Sequence, residues 1–368
     1  MENRIKNITA VSLFIIIIFG FMIGNIVMPD NEISYSERRT LARFPDFSGQ
    51  EILQGVFFSK FEKYALDQFV SRDDFRSLKA FMVFSILRQR DYNGVYIVNQ
   101  NISKTEYPLN EKSVVNAAGK ISDITEKYLE NINTAYSIVP DKNFFLAREN
   151  GYLSIDYGKL ALIMSENISE KVKYINIYDS LSIDDYYRTD IHWSQDRLIG
   201  TADRILSGMG AGKRASDIGY VKKELYPFYG SYYGQAAVKT EPDTLVYLTN
   251  STLENARVYD HYYREYISIY EPERFNGTDP YDVFLSGQKP LVTVENPDST
   301  EKRGLLLFKD SFGNSIAPLL LAGYSKITLI DLRLVSSDAL DRFIDFSEYE
   351  DALFLYSTQT LNNSYMLK

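Results

Sequence analysis

The amino-acid sequence predicts an α/β fold, with a mainly parallel sheet covered by helices on both faces. From residue 111 onward, apolar runs typical of buried strands alternate with amphipathic helical patterns, which is characteristic of such a sheet. The clearest strand-turn-helix unit begins at Leu305, where an apolar run stops at Lys309-Asp310 and a helical pattern follows from Ile316. Residues 210–300 are rich in Tyr, Gly, Pro and Thr, with only short β-type runs, so we expect an irregular β insertion there.

The composition excludes several classes of protein and site. The chain has 368 residues, a formal net charge of −9, no cysteine and two histidines, His192 and His261. An acidic chain of this kind does not indicate a nucleic-acid partner. The lack of cysteine excludes disulfides, thiol nucleophiles and cysteine metal sites, and two histidines are too few for the usual histidine-built metal site. We therefore expect neither a metal nor a cofactor.

The segment 8–28 has the length and apolarity of a transmembrane helix. It contains no charged residue, and it matches the roughly 20 residues that a helix needs to cross a bilayer. Because Arg4 and Lys6 precede it and acidic residues follow it, the positive-inside rule places residues 1–7 in the cytoplasm and the remainder outside. We expect an uncleaved, single-pass anchor in the cell membrane. A cleaved signal peptide is the alternative, and either one leaves the working part of the chain extracytoplasmic.

Residues 29–110 are predicted to form a polar stalk and a helical amino-terminal segment. The apolar spacing in Phe57–Leu87 predicts two helices with a break near Ser71–Asp74. After these helices, Gly94–Val98 is a short predicted strand, and Ile102–Tyr107 is a candidate to pair with it. This region connects the anchor to the main domain.

Residues 111–368 are predicted to form the main α/β domain, which includes the insertion. The domain begins with an amphipathic helix over Glu111–Asn131. Another helix is predicted to begin near Ser194 and end at Leu206, and a third covers Ser337–Phe346. The other predicted strands of the sheet are Thr134–Val139, Tyr174–Tyr178, Lys326–Ile330 and Ala352–Tyr356.

Ser311 lies at the strand–helix corner that follows the apolar run. In α/β folds, ligands and reactive groups are held outside the carboxyl ends of strands, and the free N–H groups of a helix start can meet an anion. A serine becomes a nucleophile only when a base is adjacent. His192, with Asp190 two residues before it, is a candidate base with its own orienting carboxylate.

Structural roles are the alternative reading of these residues. Asp190 and the polar residues near His192 can simply cap the helix that follows. Gly313 and Asn314 are candidate N–H donors to an oxyanion, but Gly313 can also serve only to permit a tight turn. His261 is expected to be a surface residue in an exposed hairpin.

The segment Tyr226–Tyr233 is a candidate platform for a sugar. Its sequence, Tyr-Pro-Phe-Tyr-Gly-Ser-Tyr-Tyr, is strongly aromatic, and tyrosine offers a ring face together with a polar tip. Tyr229 and Tyr232 are the candidate substrate-binding residues. The alternative is that these rings serve only to pack a hairpin.

Four motifs occur in a fixed order after the apolar segment. They are Ser36–Leu41 with Phe44-Pro45, Phe58–Asp74, Thr189–Trp193 and Lys309–Ser315. Together they resemble the family named for an Asp-His-His-Trp motif, which is related to the alginate O-acetyltransferases of the SGNH-hydrolase superfamily. The chain departs from the motif at Ile191, which stands in place of the first histidine. The order Asp-His before Ser is reversed from ordinary SGNH hydrolases and is shared by the acetyltransferase relatives.

The resemblance implies a fold, a mechanism and a function. It implies a three-layer, SGNH-like domain in which Asp190, His192 and Ser311 form a triad for acyl-ester chemistry. The implied function is that of a membrane-anchored, extracytoplasmic O-acetyltransferase or acetylesterase acting on a cell-surface or secreted polysaccharide. Its partners would be a carbohydrate acceptor and, for transfer, a membrane-bound O-acyltransferase. The alternative, motivated by Ile191, is a non-catalytic SGNH-like protein that binds polysaccharide or assembles a cell-envelope complex.

Overall fold

The computed structural model describes residues 2–368, which divide into two compact units. The amino-terminal unit runs to Gln89 and includes the short segment Ala237–Lys239. The second unit, which we call the sheet unit, comprises Arg90–Ala236 and Thr240–Lys368. Since each unit has its own internal contacts, each is described separately.

The amino-terminal unit consists of helices and one small hairpin. The predicted break between two helices is confirmed, but it covers residues 68–71 rather than Ser71–Asp74, because one helix ends at Asp67 and the next begins at Arg72. The second of these helices continues without interruption into a π-helical turn, Met82–Ile86. The elements are helix α1 (Glu2–Val27), strands β1 (Ile33–Ser34) and β2 (Arg39–Thr40), and helices α2 (Gly49–Leu53), α3 (Val56–Asp67) and α4 (Arg72–Phe81).

The sheet unit alternates strands and helices along most of its length. Its first half contains β3 (Val95–Val98), β4 (Asn101–Lys104), α5 (Glu111–Tyr128), β5 (Asn133–Val139), α6 (Lys142–Leu146), α7 (Tyr157–Asn167), β6 (Val172–Tyr174) and α8 (Ile199–Met209). Residues 210–300 contribute β7 (Val221–Phe228), α9 (Ser231–Ala236), β8 (Asp243–Thr249), α10 (Ser251–Asn255), β9 (Arg257–Asp260), β10 (Glu265–Ile267) and β11 (Leu291–Glu295). The last part contains β12 (Gly304–Lys309), α11 (Phe312–Leu320), β13 (Lys326–Ile330), β14 (Asp351–Ser357) and α12 (Thr358–Asn362).

The main sheet has eight strands in the order β10-β9-β11-β13-β12-β14-β5-β6. The five strands from β13 to β6 are parallel, whereas β11, β9 and β10 continue the sheet in antiparallel fashion. The predicted α/β class with a mainly parallel sheet is therefore confirmed. The region 210–300 is only partly a separate insertion, because β7 and β8 pair with each other while its other three strands join the main sheet.

Both faces of the sheet are buried, as the continuous apolar runs predicted. Along β12, Leu305 and Leu307 belong to one hydrophobic cluster, and Leu306 and Phe308 belong to the other. This alternation follows from the two-residue period of a strand. The first cluster includes residues of α8 and α11, and the second includes residues of α5 and α7. Ser311 therefore follows a strand whose side chains pack in a hydrophobic cluster on each face of the sheet.

Several predicted boundaries differ from the structure, and three of them change the kind or position of an element. The strand expected at Tyr174–Tyr178 ends at Tyr174, because the side chain of Asn176 accepts the N–H of Tyr178 and starts a 3₁₀ turn. The helix expected from Ser194 begins with a separate 3₁₀ turn before α8. The helix expected over Ser337–Phe346 is a 3₁₀ segment that ends at Arg342.

Candidate active site

Ser311 stands between the carboxyl end of β12 and the first residue of α11. Its neighbour Asp310 is fully buried and accepts the N–H groups of Phe312 at 3.1 Å and Ser357 at 2.8 Å. Asp310 also accepts the hydroxyl of Thr360 at 2.8 Å. These bonds tie the serine corner to the end of the adjacent strand β14. The carboxylate of Asp310 thus holds the turn in place.

Asp190, His192 and Ser311 form one continuous chain of hydrogen bonds. His192 Nε2 lies 2.8 Å from Ser311 Oγ, and His192 Nδ1 lies 2.6 Å from Asp190 Oδ1. A carboxylate can only accept, so Nδ1 carries a proton and Nε2 is free to accept the serine proton. Asp190 is fully buried and His192 nearly so. The structure thus brings Ser311 to a histidine and a carboxylate that lie more than a hundred positions before it in the sequence.

Backbone N–H groups orient both oxygens of Asp190. Oδ1 accepts the N–H of His192 at 2.9 Å, and Oδ2 accepts the N–H of Ser231 at 2.6 Å. Gly230 passes so close that a Cβ atom on it would lie 2.4 Å from the Asp190 Cα. Only glycine allows this approach. The aromatic segment around Gly230 therefore supports the Asp190 carboxylate directly.

Lys142 braces the loop that carries Asp190 and His192. Its buried Nζ donates to the carbonyl oxygens of Tyr187 at 2.7 Å, Arg188 at 2.8 Å and Asp190 at 3.3 Å. Three carbonyls match the three donors of an ammonium group. Desolvation lowers the pKa of Lys142 to about 7, and this effect outweighs the charges of Asp243 and Asp190, which raise the pKa. The lysine follows β5, so it connects the sheet to the histidine loop.

Aromatic side chains fix the imidazole ring. Tyr281 stacks on His192 with ring centroids 3.8 Å apart and an interplanar angle of 6°. The Tyr281 hydroxyl donates to Ser315 Oγ at 2.8 Å, and Trp193 Nε1 donates to the same oxygen at 2.8 Å. Because Ser315 lies on α11, Trp193 links the histidine loop to the helix that begins after Ser311.

Gly313 and Asn314 shape the serine corner. The N–H of Gly313 points to the Asp310 carbonyl at 3.1 Å, and that of Asn314 to the Ser311 carbonyl at 3.2 Å. The side chain of Asn314 donates to the Gly287 carbonyl at 2.9 Å. A Cβ atom on Gly313 would lie 2.5 Å from the Lys309 Cβ, so the glycine permits a close approach. Oxyanion binding by Gly313 and Asn314 stays a prediction.

The two candidate substrate-binding tyrosines differ in exposure. Tyr229 is 39% exposed and packs beside the ring of Tyr233. Tyr232 is 4% exposed, and its hydroxyl accepts from Gln359 Nε2 at 3.0 Å. Tyr229 thus presents an accessible ring and Tyr232 does not. Substrate binding by either residue stays a prediction.

The second histidine lies apart from this chain of hydrogen bonds. His261 directly follows β9, and its Nε2 lies 2.9 Å from Thr293 Oγ1 on β11. It is half-buried, and desolvation lowers its pKa. Among residues 4–368, no group of three His, Cys, Asp or Glu side chains is arranged to hold a metal ion.

Sequence reasoning missed four supporting groups: Lys142, the N–H of Ser231, Gly230 and Tyr281. Each lies far in sequence from the residue it supports, so no local spacing pointed to it. The lysine was visible as a charged residue three positions after an apolar strand, where a buried charge requires partners. The glycine was visible within the aromatic segment, where we predicted a sugar platform.

Comparison with known proteins gives a family and a fold. A DHHW family protein from Eubacterium siraeum shares 21% identity and a TM-score of 0.62, with 75% of this chain and 95% of that protein covered. PatB1 of Bacillus cereus, whose structure was solved with a sulfonyl adduct, shares 18% identity and a TM-score of 0.60, with 73% and 95% covered. The O-acetyltransferase domain of Pseudomonas putida AlgJ aligns at 11% identity and a TM-score of 0.43, with 73% and 92% covered. A comparison with curated protein sequences finds no match.

The sequence model described as "DHHW protein" matches residues 114–330. This range is more than half of the chain and contains Asp190, His192 and Ser311. The match agrees with the resemblance predicted from the four motifs, even though Ile191 replaces one of the two histidines. The chain belongs to the DHHW protein family.

Proposed function

We propose that the chain is a serine acyltransferase or esterase that moves an acetyl group to or from a carbohydrate outside the cytoplasm. The observation that carries this proposal is the hydrogen-bonded chain from Asp190 through His192 to Ser311 Oγ, with both contacts within 2.8 Å. This is the arrangement that nucleophilic acyl transfer requires. It supports catalysis over the non-catalytic alternative, because Ile191 displaces neither the base nor its carboxylate.

In the proposed reaction, His192 Nε2 takes the proton of Ser311 as Oγ attacks the carbonyl carbon of an acetyl ester or thioester. The resulting tetrahedral oxyanion collapses, and the donor's alcohol or thiol leaves with the proton from His192. This step leaves acetyl-Ser311. A sugar hydroxyl or water then gives its proton to His192 and attacks the acetyl carbonyl. As the second tetrahedral intermediate collapses, His192 returns this proton to the departing Ser311 Oγ. Asp190 stabilises the imidazolium formed in each step.

The N–H of Ser311 is the proposed first donor to the oxyanion. Among the described residues 2–368, no hydrogen-bond acceptor is found for this N–H group. It also belongs to the start of α11, where the helix dipole favours negative charge. Preorganised donors of this kind contribute roughly 10²–10³-fold to acyl transfer.

We also propose that α1 is a retained membrane anchor. Its residues Arg4–Val27 are long and apolar enough to cross a bilayer, and none of the span is buried in the structure. Near its carboxyl end, the ring of Phe21 lies 5.5 Å from those of Phe69 and Phe75, and Asn25 accepts the N–H of Val70 at 2.7 Å. Cleavage after residue 28 would remove these contacts, so they favour retention over a cleaved signal peptide.

The acyl chemistry is tested by labelling and by turnover. Because PatB1 carries a sulfonyl adduct, we would treat the full chain with a sulfonyl fluoride and locate the adduct by mass spectrometry. We expect the label on Ser311, and we expect acetate release from a chromogenic acetyl ester to fall at least about 10³-fold in Ser311→Ala and His192→Ala. The exposed Ser165→Ala variant is the control and should retain the full rate.

Transfer and hydrolysis are separated by adding a soluble oligosaccharide to the same reaction. Acetylated oligosaccharide in the products identifies a transferase, whereas acetate alone identifies an esterase. If the wild-type protein is neither labelled nor active, and Ser311→Ala binds oligosaccharide as the wild type does, the non-catalytic alternative is correct.

A further inference from the structure

Helix α4 and its π-helical extension leave one apolar side uncovered. Large apolar side chains on this side are 41–61% exposed. We call this set the apolar face: Phe75, Leu78, Phe81, Met82, Ile86 and Leu87. Soluble proteins seldom expose so many large apolar side chains together, and such patches mark interaction sites.

The opposite side of the same helix is occupied by polar contacts within the unit. Arg72 donates to Glu37 at 2.7 Å and Arg76 to the same carboxylate at 3.2 Å, while Ala80 and Val83 are buried. Glu37 lies in the turn between β1 and β2. The helix is therefore held mainly by its polar side, and the side chains of its apolar face stay largely exposed.

The contact between α4 and α1 indicates what covers the apolar face. Phe75, the first residue of this face, packs against Phe21 of α1 at 5.5 Å. A Cβ atom on Gly24 would lie 3.3 Å from Val70, just before α4. At 1.5 Å rise per residue, Phe21 lies about 9 Å inside the end of α1 at Val27. Amphipathic helices in a membrane interface bury their apolar faces roughly 5–10 Å into the headgroup and acyl boundary.

We propose that the apolar face lies in the outer-leaflet interface of the membrane that α1 spans, with lipid as its occupant. This rests on the proposed retention of α1 as an anchor. The helix shows the features of an interfacial helix: apolar residues on one side, basic residues at its polar boundary and no transmembrane length of its own. In this placement α4 lies parallel to the bilayer surface, with its apolar side chains toward lipid and its polar side toward the rest of the amino-terminal unit.

The absence of native cysteine allows a direct test by depth-dependent quenching. We would introduce Leu78→Cys into the full chain, attach an environment-sensitive fluorophore and reconstitute the protein in phosphatidylcholine vesicles. Vesicles with lipids brominated near the glycerol end of the acyl chains should quench this probe strongly, and its emission should shift to the blue. Asp73→Cys, on the polar side of the same helix, and Glu166→Cys, exposed on α7 of the sheet unit, are the controls and should be quenched much less.

Two other outcomes overturn the proposal. Water-like emission at residue 78 would show that the apolar face is exposed. A blue-shifted probe without quenching by brominated lipid would show that protein, such as a second copy of the chain, covers the face. Alkaline extraction of the same vesicles tests the α1 anchor separately from the placement of α4. Release of the chain from the vesicles contradicts the anchor. Retention of the chain without quenching of the probe contradicts only the placement of α4.

Discussion

The sheet unit and the amino-terminal unit differ in what they bury. In the sheet unit, all six residues of β12 are buried, and charged groups such as Asp190 and Lys142 are buried with them. In the amino-terminal unit, large apolar side chains of α3 and α4 stay exposed. A buried charge is stable only when its hydrogen bonds are satisfied. The sheet unit is therefore organised to hold reactive groups in one geometry, whereas the amino-terminal unit is organised to present a surface.

The two units are also stabilised differently. The sheet unit has an apolar cluster on each face of its sheet. In the amino-terminal unit, one prominent contact is an ion pair in which Arg39 donates to both oxygens of Asp67 at 2.8 and 2.5 Å. Asp67 also accepts the N–H of Ala42 at 2.8 Å, so this pair ties β2 to α3. The comparison predicts that substitutions in the sheet unit change catalysis, whereas those in the other unit change local stability.

The largest effect is expected for Asp190→Asn. An amide at this position donates where His192 Nδ1–H needs an acceptor, so the imidazole would adopt the wrong tautomer for taking the Ser311 proton. We expect kcat for acetyl ester hydrolysis to fall by about 10⁴-fold with little change in fold. Asp184→Asn, an exposed carboxylate in the same loop region, is the control. An unchanged kcat in Asp190→Asn would contradict the role assigned to the carboxylate.

A glycine pair tests how tightly the sheet unit is packed. Gly230→Ala would force Asp190 to move, because the new Cβ would lie 2.4 Å from its Cα. A displacement of about 1 Å at a catalytic group lowers the rate by roughly 10²-fold. Gly119→Ala, in α5 with no neighbour within 4 Å, should instead stabilise the protein by about 0.5–1 kcal/mol. Equal behaviour of the two variants in activity and thermal unfolding would refute this packing argument.

In the amino-terminal unit, Arg39→Gln should lower stability without changing catalysis. It leaves the buried Asp67 carboxylate without its charged partner, and we expect a cost of about 1–3 kcal/mol because Arg39 is itself partly exposed. Limited proteolysis should then cleave near α3 sooner, while turnover of a soluble acetyl ester stays at the wild-type rate. A matching loss of turnover would show that the two units are coupled.

The smallest effect is expected for the pH dependence of the stability that the Arg39–Asp67 ion pair contributes. Hydrogen bonds from Arg39 lower the pKa of Asp67 to about 2, below its ordinary value of 3.8. A carboxyl group with a depressed pKa stabilises the folded state above its unfolded pKa, and this contribution is lost as pH falls from about 4 to 2. The protection of α3 amides against hydrogen exchange, measured relative to unstructured amides at the same pH, should therefore fall across that window in the wild type. The fall should be smaller in Arg39→Gln, and the opposite order would contradict the assignment.

Local patterns in the sequence were sufficient for the fold class and for part of the site. The apolar run before Ser311 indicated a buried strand, because residues on both of its sides are apolar. The pairing of Asp190 with His192 could also be predicted, since only one residue separates them in the same turn. The contact of His192 with Ser311 was predicted from residue chemistry, since few histidines were available as a base, and from family resemblance, because the two are 119 positions apart and no periodicity relates them.

The sequence alone thus determined the strand–helix alternation, the apolar amino-terminal segment and the identities of the three triad candidates. Each of these depends on short-range periodicity or on residue chemistry. Only the tertiary structure decided that Gly230 and Ser231 support Asp190, that Tyr281 covers His192, and that β9 to β11 extend the main sheet. These contacts join residues distant in the chain, and their distances depend on how the layers pack.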